Sequence, residues 1–387
     1  MKSLLISSMY FPPHTGGISH FVGSIASVLG PDRVCCLTGV PGSPGAVETR
    51  LGPRVYRRPA AFEGAKYRQR VVWGAAIAQI MLRERPVAIQ LGLVSDGSMG
   101  LWLRRWLRLP FVVYAYGNEI LTAMQSAWQK PRLALQHADR VLAISRFTAD
   151  LVRRAGVSPE RIALVHPGCD VDRFRPRPAR MDLRHALLGP RDRDRVLLTV
   201  GGLVARKGQD MVIQALPRLR QSIPDVTYLI VGDGPYRAQL ETLAMSVGVR
   251  DHVVFAGMVS AEDLPDVYAL SDVYVMPSRE QLESCDVEGF GLVFLEANAC
   301  GKAVVGGRSG GIPDAVEDGV SGLLVDPHDP EDIANALRRI LSDGDMALRL
   351  GEQGRLRVVR EFEWKRIGDQ VQGILDSIQR ERPGFRG

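Results

Sequence analysis

Short aliphatic and β-branched runs alternate with stretches of helical period through the first half of this chain. The pattern predicts strands near residues 3–7, 33–38, 87–91, 111–115, 140–144 and 161–165, and helices near 18–29, 66–84, 98–108 and 146–155. Strand-like runs separated by amphipathic helices signal βαβ units, hence a parallel sheet. The periodicity stops at Phe174-Arg-Pro-Arg-Pro-Ala-Arg180, where two prolines mark a linker. It then restarts: RVLLTVGG (195–202), TYLIVGDG (227–234), HVVFAG (252–257), DVYVMPS (272–278), KAVVGG (302–307) and SGLLVD (321–326) each read as a strand ending at a turn. One helix is signposted at its cap and along its buried face, with Asp329 as cap, Pro330 in first position and Ile333, Ala336, Leu337, Ile340 and Leu341 as the apolar stripe. The expected fold is α/β, with two doubly wound, Rossmann-like domains facing a cleft. The expected divisions are residues 1–175, a linker at 176–190, residues 191–363, and a helical tail at 364–387 that folds back on the first domain. In such sheets ligands gather outside the carboxyl ends of the strands.

Composition narrows the class. The chain has 387 residues, 45% hydrophobic and 24% charged, as globular proteins do. No run approaches the roughly 18 to 20 apolar residues of a spanning helix, so membrane contact is expected to be peripheral. The opening MKSLLISSMYFPP has too short an apolar stretch for a secretory leader and reads as a first strand. Five cysteines (Cys35, Cys36, Cys169, Cys285, Cys300) lack paired metal-site spacing. The expected compartment is the cytoplasm, at the inner face of the membrane. Charge is unevenly shared: residues 1–180 carry 25 Lys+Arg against 11 Asp+Glu, and the rest carries 24 against 32. A basic first half predicts an anionic acceptor or membrane surface as its partner, with no nucleic acid expected.

Two segments carry chemistry. Thr199-Val-Gly-Gly-Leu-Val-Ala-Arg-Lys-Gly-Gln-Asp210 follows a strand and opens a helix, so Arg206 and Lys207 stand beside a helix amino terminus, an arrangement suited to a diphosphate. EGFGLVFLE (288–296) places Glu288 before a helix expected to begin near Gly291, and Glu296 inside it. Backbone amides of Phe290, Gly291 and Leu292 would sit at its mouth. Eight residues at ~1.5 Å each span about 12 Å, comparable with the distance from hexose to ribose in a nucleotide sugar. Carboxylates suit sugar hydroxyls; amides and cations suit the phosphates between them.

The Glu-x7-Glu pattern, Ala297-Asn-Ala-Cys-Gly-Lys-Ala-Val-Val305, Ser309-Gly-Gly-Ile-Pro313, Gly232-Asp-Gly-Pro235, Lys207-Gly208 and Phe11-Pro-Pro-His-Thr-Gly-Gly17 together resemble retaining GT-B glycosyltransferases of family 4. The likeness spans nearly the whole chain, and Cys285-Asp-Val-Glu-Gly289 looks most like the phosphatidyl-myo-inositol mannosyltransferase branch, which uses GDP-mannose. The resemblance implies a hexosyl donor, GDP-mannose rather than a UDP-sugar, and a lipid-linked, phosphorylated or glycan acceptor. It implies neither cofactor nor metal. Lys207 and Arg206 then serve the diphosphate and Glu288 the transferred sugar. Glu296 takes the ribose, Met258 and Val259 the base, and Phe290, Gly291 and Leu292 supply amides. Gly17, with Gly16, lets the backbone approach the ligands, while Tyr116, Asn118, Glu119 and His20 are the acceptor-side candidates.

Two positions depart from the family pattern. Gly201-Gly202 stands where a Gly-Arg pair is usual, and Ala115-Tyr-Gly-Asn-Glu119 where many relatives carry His-Gly-x-Glu/Asp. A phenol titrating near 10 does not replace an imidazole at neutral pH. These departures motivate a rival, a non-catalytic nucleotide-binding scaffold. A nicotinamide oxidoreductase is disfavoured, because no Gly-x-Gly-x-x-Gly follows the first strand. Asp170-Val-Asp172 has metal-motif spacing but reads as a turn. Trp102-Leu-Arg-Arg-Trp-Leu-Arg-Leu109 has the composition of an interfacial helix; lying between two strands, it is expected to pack its tryptophans on the sheet, arginines outward. Lys66-Tyr-Arg-Gln-Arg70 is a candidate for lipid head groups, His14 flanks the Gly-Gly turn, and Cys285 and Cys300 are expected as core fillers.

Overall fold

The computed structural model describes residues 2–41, 52–61, 66–125 and 129–381, which form two compact units: residues 1–167 with 364–387, and residues 168–363. In the first unit, β1 (Ser3–Ser7), β2 (Val34–Thr38), β3 (Arg54–Arg57), β4 (Ala88–Leu91), β5 (Phe111–Ala115), β6 (Arg140–Ala143) and β7 (Ile162–Leu164) make one parallel sheet in the order β3-β2-β1-β4-β5-β6-β7. In the second, β8 (Arg195–Val200), β9 (Val226–Val231), β10 (Val253–Gly257), β11 (Val273–Met276), β12 (Ala303–Gly307) and β13 (Gly322–Val325) run in the order β10-β9-β8-β11-β12-β13. Both sheets are doubly wound, and their strand order reverses between β1 and β4 and between β8 and β11, the places where such sheets receive ligands.

Local sequence explains most of these elements. The central strands are buried along their length because helices cover both faces. Asp329 caps the helix Pro330–Ser342 by accepting from the Glu331 amide at 2.8 Å, with Ile333, Ala336, Leu337 and Ile340 inside. β3 escapes the hydrophobic pattern: Arg-Val-Tyr-Arg is an edge strand, and only Tyr56 of it is fully buried. The helices Asn118–Gln125 and Gln129–His137 were likewise not foreseen.

The segment expected as a linker is instead part of the second unit. Phe174 is buried against Tyr268, with ring centroids 5.9 Å apart, Arg177 pairs with Asp266 at 3.1 Å, and Met181–Leu188 is a helix. Prolines forbid regular structure there but not packing. Asp170 closes a turn, its Oδ1 accepting from the amides of Asp172 (3.2 Å) and Arg173 (3.0 Å). The helix Trp364–Arg380 belongs to the first unit, lying so close to Gly17–Arg33 that a Cβ on Gly368 would stand 2.5 Å from a Val28 methyl.

A second correction concerns the helix Gly97–Leu107. Its buried face is Gly97, Gly100 and Leu103; a Cβ on Gly100 would stand 2.6 Å from a Leu91 methyl of the sheet and one on Gly97 2.1 Å from Ala134 of the neighbouring helix, while Trp102 and Trp106 are 43% and 65% exposed. The tryptophans therefore do not fill the core. Cys285 is half-exposed rather than a core filler, whereas Cys300 is buried. Of Lys66–Arg70, the side chains of Lys66, Tyr67, Arg68 and Arg70 lie outside the described residues.

Candidate active site

The loops leaving β8 and β11 meet at the reversal point of the second sheet. After β8 the chain forms a single 3-10 turn, Ala205–Lys207, and then enters the helix Gln209–Ser222 through Gly208. Gly208 has φ +75°, and a Cβ there would lie 2.2 Å from the Pro277 carbonyl oxygen, so only glycine permits this approach. Arg279 holds the turn from the β11 side. Its amide donates to the Arg206 carbonyl (2.8 Å), and its guanidinium grips Asp210 through both nitrogens (3.0 and 2.8 Å). The loop after β12 supports Glu288: the Gly311 amide donates to the Glu288 carbonyl (2.9 Å), and Gly310, at φ +55°, leaves a gap that a Cβ would close to 2.4 Å from that oxygen.

This scaffold aims three side chains at one point. Lys207 Nζ lies 2.5 Å and Arg206 Nη1 2.6 Å from the same oxygen, Glu288 Oε2, and Arg206 Nε is 2.7 Å from Asp286 Oδ1. All three groups are largely withdrawn from water. Burial pushes the Glu288 carboxyl upward, but Lys207 and Arg206 outweigh it and hold the group at about 2. Burial pulls Lys207 down and Glu288 partly restores it. Burial likewise opposes the charge of Arg206, and Glu288 and Asp286 more than offset that. With its carboxyl held at about 2, Glu288 is ionised at neutral pH and has no proton to donate.

Arg206 thus converges with Lys207 on Glu288, four residues after the Gly202 that stands where an arginine is usual. The expected division of labour is altered in one respect. Glu288 is drawn here as counter-ion to the cations rather than standing apart from them. The 12 Å estimate also assumed helical rise throughout, whereas the helix is Leu292–Ala299 with Gly291 as its cap, so residues 288 to 291 do not follow it.

Glu296 is held separately, its Oε2 accepting from the Tyr268 hydroxyl at 2.7 Å. Burial raises its carboxyl to about 7, against the pull of that hydrogen bond and of Arg173. Phe290 is buried with its ring 5.9 Å from that of Phe362, leaving its backbone as what it can offer a ligand. Leu292 is the first helical residue and half-buried. Met258, 75% exposed, and half-buried Val259 follow β10 at the sheet edge. Asp286, the Arg279–Asp210 brace and Tyr268 were not singled out from sequence. Asp286, inside the quoted DVEG run, and Asp210, at the end of the quoted Thr199–Asp210 segment, carried a local signal.

In the first unit, Gly16 (φ +129°) precedes the helix Gly17–Arg33. At the reversal point, Asp96 Oδ2 accepts from the Ser8 amide at 3.0 Å, and burial, opposed by Ser8, raises the Asp96 carboxyl to about 6. Tyr116, 7% exposed, packs edge-on to Phe21, and its buried hydroxyl has no hydrogen-bond partner among the described residues. Glu119 turns back to accept from the Tyr116 amide (2.5 Å), so its carboxylate supports the loop that carries Tyr116. Exposed Asn118 begins the next helix. The His20 ring lies 5.9 Å from that of Trp364, on the C-terminal helix. His14 Nδ1 lies 3.1 Å from Ser19 Oγ.

Comparison with known proteins agrees with this architecture. A family model described as Glycosyl transferases group 1 matches residues 183–357, and one described as Glycosyltransferase Family 4 matches residues 15–173. The chain is 36% identical to a GDP-mannose-dependent alpha-(1-6)-phosphatidylinositol monomannoside mannosyltransferase of Mycolicibacterium smegmatis, over 98% of this chain and 100% of that protein. It is 37% identical to a D-inositol 3-phosphate glycosyltransferase of Salinispora arenicola, over 62% of this chain and 54% of that one. Among solved structures, Anabaena HepE in complex with UDP-glucose superposes with a TM-score of 0.80 at 24% identity, covering 97% of this chain and 100% of that one. A sucrose-phosphate synthase from Thermosynechococcus elongatus gives 0.80 at 25% identity over 99% and 100%. The chain belongs to the group 1 and family 4 glycosyltransferases and has their GT-B fold of two Rossmann-like domains. It is a glycosyltransferase.

Proposed function

We propose that this enzyme moves mannose from GDP-mannose to an inositol-bearing lipid acceptor, with retention at the anomeric carbon and without a metal ion. The observation that carries the reading is the convergence of Arg206 and Lys207 on one oxygen at the reversal point of the second sheet. A pair of cations held by a single carboxylate is a site for a stronger anion. When the donor binds, its diphosphate takes over as their counter-ion, and Glu288 is released toward the sugar.

Because Glu288 is ionised, its role there is to accept sugar hydroxyls and to stabilise positive charge at the anomeric carbon. Charge growing on the leaving diphosphate meets Arg206 and Lys207 in place, which lowers the barrier without Lewis-acid help. Glu296 accepts the ribose hydroxyls, and the Met258–Val259 turn receives the base. The choice of GDP-mannose and an inositol lipid rests on the mycobacterial relative's name and its full-length match. The direct test is product analysis after incubation with GDP-mannose or UDP-glucose and a phosphatidylinositol-type lipid, the anomeric proton coupling reporting the stereochemistry. Transfer from GDP-mannose with an α product is expected; transfer from UDP-glucose alone overturns the donor assignment.

The scaffold alternative predicts nucleotide binding with no turnover. The convergence of Arg206 with Lys207 favours catalysis, and slow release of nucleoside diphosphate from donor without acceptor separates the two.

A further inference from the structure

Arg206 is gripped at three points, and the transfer as proposed releases only one of them. Its Nη1 meets Glu288 Oε2 (2.6 Å), its Nε meets Asp286 Oδ1 (2.7 Å), and its carbonyl accepts from the Arg279 amide (2.8 Å). Lys207 pairs with Glu288 alone among the described residues. Asp286 owes its place to a small hairpin. The chain turns through Leu282–Ser284 and reverses at Cys285 (φ +54°), so Gln281 and Asp286 face each other as an isolated antiparallel pair. The Gln281 amide donates to the Asp286 carbonyl (2.9 Å) and the Asp286 amide to the Gln281 carbonyl (3.1 Å). Both backbone polar groups of Asp286 are engaged within the hairpin, and its carboxylate extends to Arg206.

The two cations have different needs when the donor arrives. An ammonium is a point charge with three rotatable donors, so Lys207 serves a phosphate from any rotation of its head. A guanidinium is a planar fork whose donors point in fixed directions, and its long side chain loses aim when no group fixes it. Displacing Glu288 takes away one of the two carboxylates that fix Arg206. The Asp286 bond is compatible with that exchange, because it uses Nε while a phosphate oxygen replaces Glu288 at Nη1. Asp286 is also the more solvent-facing of the pair, its side chain 32% exposed against 14% for Glu288, so its charge is the better screened and repels an incoming anion less. We infer that Asp286 is a positioning residue of the transfer: it keeps Arg206 aimed at the diphosphate after Glu288 has left.

The inference rests on the diphosphate reading of this cluster, and a double-mutant cycle tells the two apart. The parent, Asp286→Ala, Asp286→Asn, Arg206→Ala and the double variant of Asp286→Ala with Arg206→Ala are compared at matched melting temperature. Turnover is measured with whichever of GDP-mannose and UDP-glucose the parent uses, and affinity by calorimetry with the matching nucleoside diphosphate. Asp286→Ala is expected to lower kcat about tenfold or more, the cost of a misaimed group. Affinity should stay within about threefold of the parent, because a partly exposed charge contributes little to binding. Asp286→Asn keeps an oxygen that accepts from Nε and is expected to recover part of kcat; being isosteric, it carries the cycle where alanine disturbs the hairpin. In the Arg206→Ala background the Asp286 substitution is expected to have no further effect, since it acts through Arg206. Equal losses in the two backgrounds overturn the inference, as does Asp286→Ala turning over like the parent or losing affinity in step with kcat. Failure of the diphosphate reading shows separately: Arg206→Ala alone would then bind the nucleotide and turn over like the parent.

Discussion

Lys207 Nζ and Glu288 Oε2 stand 2.5 Å apart, although 81 residues separate them in the chain. The pair joins the loops after β8 and β11, and with Arg206 it turns a loose basic loop into a preorganised anion site whose counter-ion is built in.

Removing that counter-ion separates ground-state binding from catalysis. In Glu288→Gln the cations lose their carboxylate, so GDP alone is expected to bind more tightly than to the parent, by calorimetry. Turnover should fall about 100-fold or more, because the charge facing the anomeric carbon is gone. The acid limb of stability changes as well. A carboxyl held at about 2 rather than 4.5 contributes stability present above pH 4.5 and lost as pH falls toward 2. The variant should lose that part of the acid transition.

Lys207→Ala is expected to lower kcat/KM by about 100- to 1,000-fold, as removal of one preorganised group facing developing charge typically does. The loss should fall mainly on kcat. Arg206 keeps part of the diphosphate's binding, so GDP affinity should drop less than turnover in paired steady-state and binding measurements.

Glu296 titrates where assays are run. Its carboxyl is raised to about 7, so the ionised form that accepts ribose hydroxyls becomes dominant only above that pH. Donor KM should therefore fall as pH rises through about 7. Glu296→Gln should raise donor KM, leave kcat comparatively unchanged and flatten the pH dependence of KM.

Tyr116 offers a test of the acceptor side. Its hydroxyl is buried without a partner among the described residues, and such a group costs about 1–3 kcal/mol when left unsatisfied. Tyr116→Phe should leave thermal stability unchanged or higher. If substrate supplies the missing partner, acceptor KM rises in the same variant while donor KM holds; unchanged kinetics would remove Tyr116 from the acceptor site.

Much of this architecture was legible in the sequence, and the reasons for the gaps are physical. All six strands of the second sheet follow largely apolar runs ending at glycine or another turn residue, because parallel strands buried on both faces have little choice of composition. β3 was missed because an edge strand tolerates arginines at both ends. Arg206, Lys207, Glu288 and Glu296 could be picked out as chemistry-bearing residues. Their grouping could not, since it depends on strand order: β8 and β11 are neighbours in the sheet but far apart in sequence. The tryptophans at 102 and 106 were expected inside on the prior for large apolar side chains. Gly100, which brings the helix close to the sheet, and Gly97, which brings it against the helix Gln129–His137, decide otherwise.

The central claim is that the donor's diphosphate displaces Glu288 from Lys207 and Arg206. A crystal structure with bound GDP tests it most directly. The account predicts phosphate oxygens within about 3 Å of Lys207 Nζ, with the Glu288 carboxylate moved off both cations. A pyrophosphate bound elsewhere, with the Lys207–Glu288 pair intact, would contradict it.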